Sequence, residues 1–431
     1  MRTSIWMCAL VCVASVASAQ QRAPAGGSVA DTLRLTRRQA IAMALLSNPT
    51  IGVAKEQTAQ VQAQRVEGMA IPDPLFSAAY DSMPRITGFG PSVSKPVSLS
   101  VVVPFPDKLR LESRLGTANV NASQQNLRLV EQGIAASASQ AYDAVLVAAM
   151  HRRDFLEADS LATDFLKKTQ ARFNAGTVAR LDVIKAQVDL ASAGNDLIAN
   201  SRDIATAQAG LNRIIGRALG SPIDLTDSLT VPPPLPDLDA VQQAALRSRP
   251  EIRSLEAQQR AAQANASLVR EQAFLPDLFA SASRDASVAG PAWYSVGIAM
   301  PIPILFWQHS RGDFAETQHR ELELAATLRD TRAAVGQDVQ TAFANADAAE
   351  RQAVFIRDQL LPSAREAYRV ATTSYGLGGL SALDVLDARR SLLDAESQYA
   401  DALAAANSAR ADLERAAGVP LTTFAPGAPR E

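Results

Sequence analysis

Histidine is the residue type that would most directly indicate a transition-metal site or proton transfer near neutral pH. The chain has only three, His151, His309 and His319. None is three or four positions from another, the spacing that places two ligands on one helix face. The GxSxG, HExxH and P-loop patterns are also absent from the sequence. We therefore expect no catalytic residue, no metal site and no cofactor.

A glycine-rich run, Tyr375-Gly376-Leu377-Gly378-Gly379, contains backbone amides that could cradle a phosphate. Phosphate-binding glycine loops follow a strand, but this run follows a helical stretch and is better interpreted as a turn. Asp384 and Asp387 come next, three positions apart and so on one helix face. Carboxylates at this position can cap the new helix and interact favourably with its dipole.

The composition excludes several other classes of protein. Of 431 residues, 47% are hydrophobic and 20% are charged, which is too apolar for a disordered chain. The formal net charge is −2, so no polyanionic partner such as a nucleic acid is indicated. Only 5% of the residues are aromatic, and Ala, Val and Leu dominate the apolar content. Small side chains of this kind favour many closely packed helices.

Residues 1–19 are predicted to be a secretory signal peptide, with Arg2, an apolar run over Ile5–Val16 and the cleavage triplet Ala17-Ser18-Ala19. The apolar run is too short for a membrane-spanning anchor. Lipidation at Cys12 is disfavoured by the bulky valine before it. Because the other cysteine, Cys8, lies in the same segment, the mature chain would contain none. We therefore expect no disulfide and no thiolate chemistry.

The remainder of the chain is a tandem repeat. Four landmark motifs recur about 200 residues later in the same order. The pairs are Ala44–Pro49 with Ala245–Pro250, Pro72–Phe76 with Pro276–Phe279, Leu181–Val183 with Leu383–Val385, and Leu211–Arg213 with Leu413–Arg415. The predicted divisions are repeat 1 over 20–216, a proline-rich linker over 217–239, repeat 2 over 240–418 and a tail over 419–431.

Each repeat has the same predicted order of helix, β-hairpin, very long helix, glycine turn and final helix. The hairpins are predicted near 74–104 and 277–301, the long helices near 107–174 and 308–375, and the final helices near 178–216 and 380–417. From Leu127 to Ala148 the apolar residues of the first long helix step by three and four, as in coiled coils. A helix of this length extends about 100 Å, so it has to pack in a long bundle or tube.

The predicted hairpins alternate apolar with small polar residues. Val97, Leu99, Val101 and Val103 point one way, and Ser98 and Ser100 point the other. This pattern is typical of a membrane β-barrel and also of a soluble amphipathic hairpin. Four strands cannot close a barrel, so a membrane location would require several copies. Three copies would supply twelve strands.

The signal peptide, the duplicated plan and two turn motifs resemble the outer membrane efflux proteins, the TolC family. The motifs are Arg172–Thr177 leading to Leu181–Val183, and Ser374–Gly379 leading to Leu383–Ala388. The resemblance covers essentially all of the mature chain. It implies a mainly α protomer with β strands, and a homotrimer with a 12-stranded outer-membrane β-barrel continued by a long periplasmic α-helical barrel.

The resemblance also implies a function and partners. The protein would be a passive exit duct of a tripartite efflux or type I secretion system. It would contact outer membrane lipid, a periplasmic adaptor (membrane fusion) protein and an inner-membrane pump of the proton-driven RND type. The helix turns at Asn174, Gly176, Gly378 and Gly379 would be the tips that dock the adaptor.

The family has a periplasmic gate, and its residues transfer to this chain by motif position. Asp384 and Asp387 would form carboxylate rings in the pore, which attract cations. Tyr375 and Asp182 would link neighbouring helices at the gate. An arginine that assists this linkage in the family is replaced here by Leu380.

A soluble periplasmic coiled-coil scaffold or adaptor is the alternative function. It would share the signal peptide, the long helices and the absence of cysteine from the mature chain. It would not need a pair of strands with an apolar face at each helix junction. The exported substrate and the identity of the adaptor and pump are not encoded in any motif of the chain.

Overall fold

The computed structural model describes residues 33–79, 94–287, 290–302 and 304–424. The predicted signal peptide, the loop of the first hairpin and the end of the tail lie outside these ranges. Helices and strands are numbered in chain order. The helices are α1 Arg37–Ser47, α2 Pro49–Gly68, α3 Pro106–Asn174, α4 Arg180–Ile214, α5 Leu238–Ser248, α6 Pro250–Phe274, α7 Phe306–Phe355, α8 Leu361–Gly376 and α9 Ala382–Ala417. The strands are β1 Leu33–Leu35, β2 Leu75–Ala78, β3 Ser94–Val103, β4 Ile223–Leu225, β5 Leu278–Ser287 and β6 Trp293–Ala299.

The helix α3 is the longest element, with 69 residues. It starts at Pro106, a residue suited to the first helical turn, and it contains no further proline. One end packs against α2 and α6, and the other packs against α4 and α9. Stacked shorter helices therefore run beside one continuous helix. None of the described helices combines the length and apolar character needed to cross a lipid bilayer.

The second long helical segment is interrupted, unlike the first. A π-turn over Ile356–Leu360 separates α7 from α8. Pro362 lies in the first turn of α8 and has no N–H to donate to the preceding turn. The missing bond allows the backbone to widen locally, which gives a physical reason for the π-turn. The sequence-based expectation was a single helix over 308–375.

Equivalent hydrogen bonds join the start and end of each repeat. The Ser47 hydroxyl donates to the Ile215 carbonyl at 2.7 Å, and the Ser248 hydroxyl donates to the Ala417 carbonyl at 2.9 Å. Each serine ends the first helix of its repeat, and each acceptor lies at the end of the last helix. The duplication evident in the sequence is thus retained in the tertiary contacts.

Four strands form one antiparallel sheet in the order β2-β3-β5-β6. The register aligns a row of serines, Ser77, Ser98, Ser283 and Ser295, across all four strands. The adjacent row is Phe76, Leu99, Ala282 and Val296. Its large members are exposed, with Phe76 66% and Val296 86% accessible. One face of the sheet is therefore an exposed apolar surface, and β2 and β6 are its free edges.

A second, two-stranded sheet pairs β1 with β4 in parallel. The strand β4 lies in the segment expected to be a linker, and sequence analysis did not predict this sheet. The main apolar core beside it contains Leu35, Tyr142, Leu211, Ile215 and Leu403. The Tyr142 hydroxyl lies 3.0 Å from the Leu35 carbonyl oxygen and 3.0 Å from a carboxylate oxygen of Asp227. Burial, supported by Asp227, raises the pKa of Tyr142 to about 12.

An ion pair joins α1 to α3 at the edge of this core. Arg37 Nη2 contacts Asp143 Oδ1, and the Asp143 side chain is only 4% exposed. Burial raises the pKa of Asp143 from 3.8 to about 6, and the attraction of Arg37 opposes this only in part. The folded protein therefore holds this proton at pH values where an unfolded chain has already released it.

We predict that Asp143 makes the protein less stable as the pH rises from about 4 to about 6, by about 3 kcal/mol in total, because its pKa is raised by folding. Asp143→Asn should make the pH dependence of the unfolding temperature shallower in this range. Thermal unfolding of the detergent-solubilised protein measures this. Asp330→Asn, at an exposed position of α7, is the matched control and should leave the slope unchanged. An unaltered slope in Asp143→Asn would contradict the prediction.

Candidate functional site: the paired helix turns

Two helix turns with the same backbone geometry connect α3 to α4 and α8 to α9. Gly176 and Gly378 have φ values of 74° and 85°, in the left-handed region that favours glycine. The Thr177 amide donates to the Arg172 carbonyl at 3.0 Å, and the Gly379 amide donates to the Ser374 carbonyl at 2.9 Å. These bonds close the preceding helix in each repeat. The predicted tip residues, Asn174, Gly176, Gly378 and Gly379, are all exposed on these turns.

Tyr375 is a buried link between the repeats, with 4% of its surface accessible. Its hydroxyl shares a 3.3 Å hydrogen bond with Thr169 on α3. Its ring lies 5.5 Å from the ring of Phe165, at an interplanar angle of 49°. Ala186 of α4 and Val385 of α9 belong to the same apolar cluster. One side chain of repeat 2 therefore packs directly against the end of repeat 1.

Arg172, near the end of α3, binds the same tyrosine in two ways. Its Nη1 donates to the Tyr375 carbonyl oxygen. Its guanidinium carbon lies 4.4 Å from the centre of the Tyr375 ring, which is a cation–π contact. Arg172 therefore supplies a charged contact between the end of α3 and the second turn. Arg172 is the first residue of the first turn motif, but the sequence analysis predicted no gate role for it.

The link between Tyr375 and Asp182 stays a prediction. Asp182 lies in the first turn of α4 and is partly exposed. The hydrogen bond made by the Tyr375 hydroxyl goes to Thr169 instead. Leu380 lies in the second turn and is 38% exposed. Spacing in the sequence could not choose between Asp182 and Thr169, because the choice depends on how α3, α4 and α8 are rotated against one another.

Asp384 and Asp387 are both exposed near the start of α9. Asp384 forms a capping box with Ser381. Its carboxylate accepts from the Ser381 amide at 2.9 Å, and the Ser381 hydroxyl accepts from the Asp384 amide. The hydrogen bonds from Ser381 hold the pKa of Asp384 below its usual value. Asp384 therefore has a capping role and stays charged and accessible, while Asp387 has no part in the cap.

A second charged link between the repeats lies further along the same helices. Arg389 of α9 contacts Asp189 of α4 through its Nη1. The Arg389 side chain is 4% exposed and the Asp189 side chain is 25% exposed. Burial raises the pKa of Asp189, although Arg389 and then Arg390 act to lower it. Sequence analysis missed this pair. A signal was available, because Arg389 occupies an inward position of an otherwise apolar helical pattern.

The ion pair lies beside a groove of about 650 Å³ between the first parts of α4 and α9. Its lining combines apolar residues, including Phe155, Val188 and Leu386, with charged residues such as Asp387. Within the described residues no three potential metal ligands come together, and His151 instead pairs with Asp401 at 3.2 Å. The site thus consists of helix ends tied by a few polar contacts, with accessible carboxylates beside them.

Known proteins are similar to this chain over most of its length. Residues 40–217 and 241–419 each match the model of the outer membrane efflux protein family. The cobalt-zinc-cadmium resistance protein CzcC of Cupriavidus metallidurans is 22% identical, over 89% of this chain and 90% of its own. The pyoverdine export outer membrane protein OpmQ of Pseudomonas aeruginosa is 26% identical, over 82% of this chain and 78% of its own.

Solved structures share the fold at low sequence identity. CusC is 20% identical with a TM-score of 0.74, over 89% of this chain and 92% of its own. The outer membrane channel CmeC of Campylobacter jejuni is 16% identical with a TM-score of 0.73, over 89% of this chain and 85% of its own. The protein is an outer-membrane efflux channel with a periplasmic helical part, and not an enzyme. The chain belongs to the outer membrane efflux protein family.

Proposed function

We propose that this protein is the exit duct of a tripartite efflux system, a passive conduit coupled to a periplasmic adaptor and an inner-membrane pump of the proton-driven RND type. The observation that carries the proposal is the four-stranded sheet with an apolar exposed face, connected to long helices that end in two tied turns. The apolar face of the sheet is suited to contact lipid, and the long helices are suited to form a tube through the periplasm. The scaffold alternative gives no reason for an exposed apolar sheet.

We infer that three copies assemble. The sheet of one protomer has two free edges, β2 and β6, and unpaired backbone groups are costly in a bilayer. Pairing β6 of one copy with β2 of the next removes both kinds of edge. Three protomers of four strands supply a barrel wide enough for an open interior. Their helices would then surround a common channel.

The paired turns are the proposed docking and gating end. Leu377 is 86% exposed and Phe173 is 37% exposed, so the turns present apolar side chains outward. Such side chains are suited to contact an adaptor helix. Tyr375, tied by Arg172, would hold the two turns together in the closed channel. Asp384 and Asp387 would form carboxylate rings that favour cations.

The names of two relatives mention different substances, with cobalt-zinc-cadmium resistance for CzcC and pyoverdine export for OpmQ. We propose that cargo is selected mainly by the pump, and that the duct of this chain passes what the pump delivers. The exposed carboxylates near the turns would favour cationic cargo over anionic cargo of the same size.

The function is tested first by assembly. The protein should fractionate with the outer membrane and migrate as a heat-sensitive trimer on a denaturing gel. Val296→Arg should reduce the trimer yield strongly, because a charge on the lipid face costs about 2–4 kcal/mol near the bilayer midplane. Ser295→Arg, on the opposite face of the same strand, is the matched control and should assemble. Release of the wild type by osmotic shock without detergent would refute the duct.

The carboxylate ring is tested at Asp387, because Asp384 also caps its helix. Asp387→Asn should reduce the preference for potassium over chloride by about twofold or more in planar-bilayer recordings, since three charges leave the pore of each trimer. Asp330→Asn is again the control. A selectivity equal to that of the wild type would rule out the pore position of Asp387.

The tie between the turns is tested by comparing two variants. Arg172→Met removes the hydrogen bond to the Tyr375 carbonyl and the cation–π contact, so it should raise the closed-state conductance. Tyr375→Phe removes only the hydroxyl bond to Thr169, which is worth about 1 kcal/mol, and should have a smaller effect in the same direction. Single-channel recording at low voltage measures both. Equal conductance in the wild type and Arg172→Met would contradict the tie.

A further inference from the structure

The first parts of α4 and α9 stand apart from each other over a floor provided by α3. The groove between them holds about 650 Å³, and Phe155 and Ala158 form its floor. Ile184 and Val188 line one wall, and Leu386 lines the other. Val188 is 64% exposed and Ile184 is 46% exposed, so apolar side chains do not close the groove. Apolar contact between the two helices is provided near the turns by Ala186 and Val385, and along the groove a polar contact joins them.

The contact that bridges the two walls is the ion pair of Arg389 with Asp189. Within the described part of the chain it is the only hydrogen-bonded or ionic link between α4 and α9. It joins repeat 1 to repeat 2, about two helical turns after the start of α4 and of α9. The sequence repeat does not reproduce it, because Gln187 and Ser391 stand at the equivalent positions.

The two partners differ in their access to water. Arg389 is almost completely buried, and its Nε has no hydrogen-bond partner among the described residues. Asp189 retains partial exposure. Loss of the carboxylate would therefore leave a buried cation uncompensated, whereas loss of the cation would leave a carboxylate that water can reach. An uncompensated Arg389 gains hydration when α9 moves away from α4, because that movement opens the groove which it lines.

We propose that Asp189 is the counter-ion of the buried Arg389, and that the turn end of the channel opens when this cation is left unpaired. The inference rests on the proposed gating function. Lys185 and Asp196 on α4, with Arg390 and Asp394 on α9, also face the groove, so the ion pair lies among charges of both signs. Arg389 is a positioning residue, which acts through the placement of the helix that carries Asp384 and Asp387.

The test compares four variants of the full-length trimer in planar bilayers. Asp189→Asn should raise the probability of the open state by about tenfold or more, because the closed state then buries an unpaired cation. Arg389→Met should stay within about twofold of the wild type, because the remaining carboxylate is partly hydrated. Asp189→Glu, which keeps the charge, should also remain closed. The double variant Asp189→Asn with Arg389→Met should return to wild-type conductance.

The outcomes separate this inference from the proposed function. Failure of the wild type to form any channel would overturn the duct itself. If the wild type forms a channel, the counter-ion proposal alone is overturned by an Asp189→Asn variant that behaves as the wild type, or by equal leaks in Asp189→Asn and Arg389→Met. If Asp189→Asn does not assemble into trimers, the double variant decides. If the double variant assembles with wild-type conductance, the defect of Asp189→Asn is due to the unpaired Arg389, and the proposal is supported. If the double variant does not assemble, the proposal is overturned.

Discussion

The satisfaction of backbone hydrogen bonds is the constraint on which the rest of this structure depends. A bilayer offers no water to the N–H and C=O groups at a sheet edge. The four strands have two such edges, β2 and β6, so the protomer is incomplete by itself in the membrane. Rows of serine and rows of large apolar residues alternate across the sheet, which gives it a polar face and an exposed apolar face.

The long helices connect the sheet to the two helix turns. Because α3 is continuous over 69 residues, it connects the end of the sheet rigidly to the first turn. The corresponding segment of repeat 2 is divided by the π-turn before Pro362. The two halves of a duplicated protein thus differ in the continuity of their long helices. The polar contacts at the turns also join positions that are not equivalent in the two repeats, since Arg172 of repeat 1 binds Tyr375 of repeat 2.

Much of the fold was predictable from the sequence because its signals are local. Apolar residues spaced by three and four predict the long helices, and alternation by two predicts the strands of the sheet. The short sheet of β1 and β4 was not predictable in this way. Its strands have three residues each and lie far apart in the chain, so no periodicity marks them. The π-turn before Pro362 was not predicted either.

The sequence by itself determined the duplication, the helical and strand segments, and the positions of the two glycine turns, because each follows from local spacing and residue type. Membership of the outer membrane efflux protein family follows from the same repeated motifs. Only the tertiary structure decided which side chains meet. The Tyr375 hydroxyl lies against Thr169, and Arg389 is buried against Asp189. Those pairings depend on the rotation and separation of helices distant in the chain, which residue spacing along one helix cannot specify.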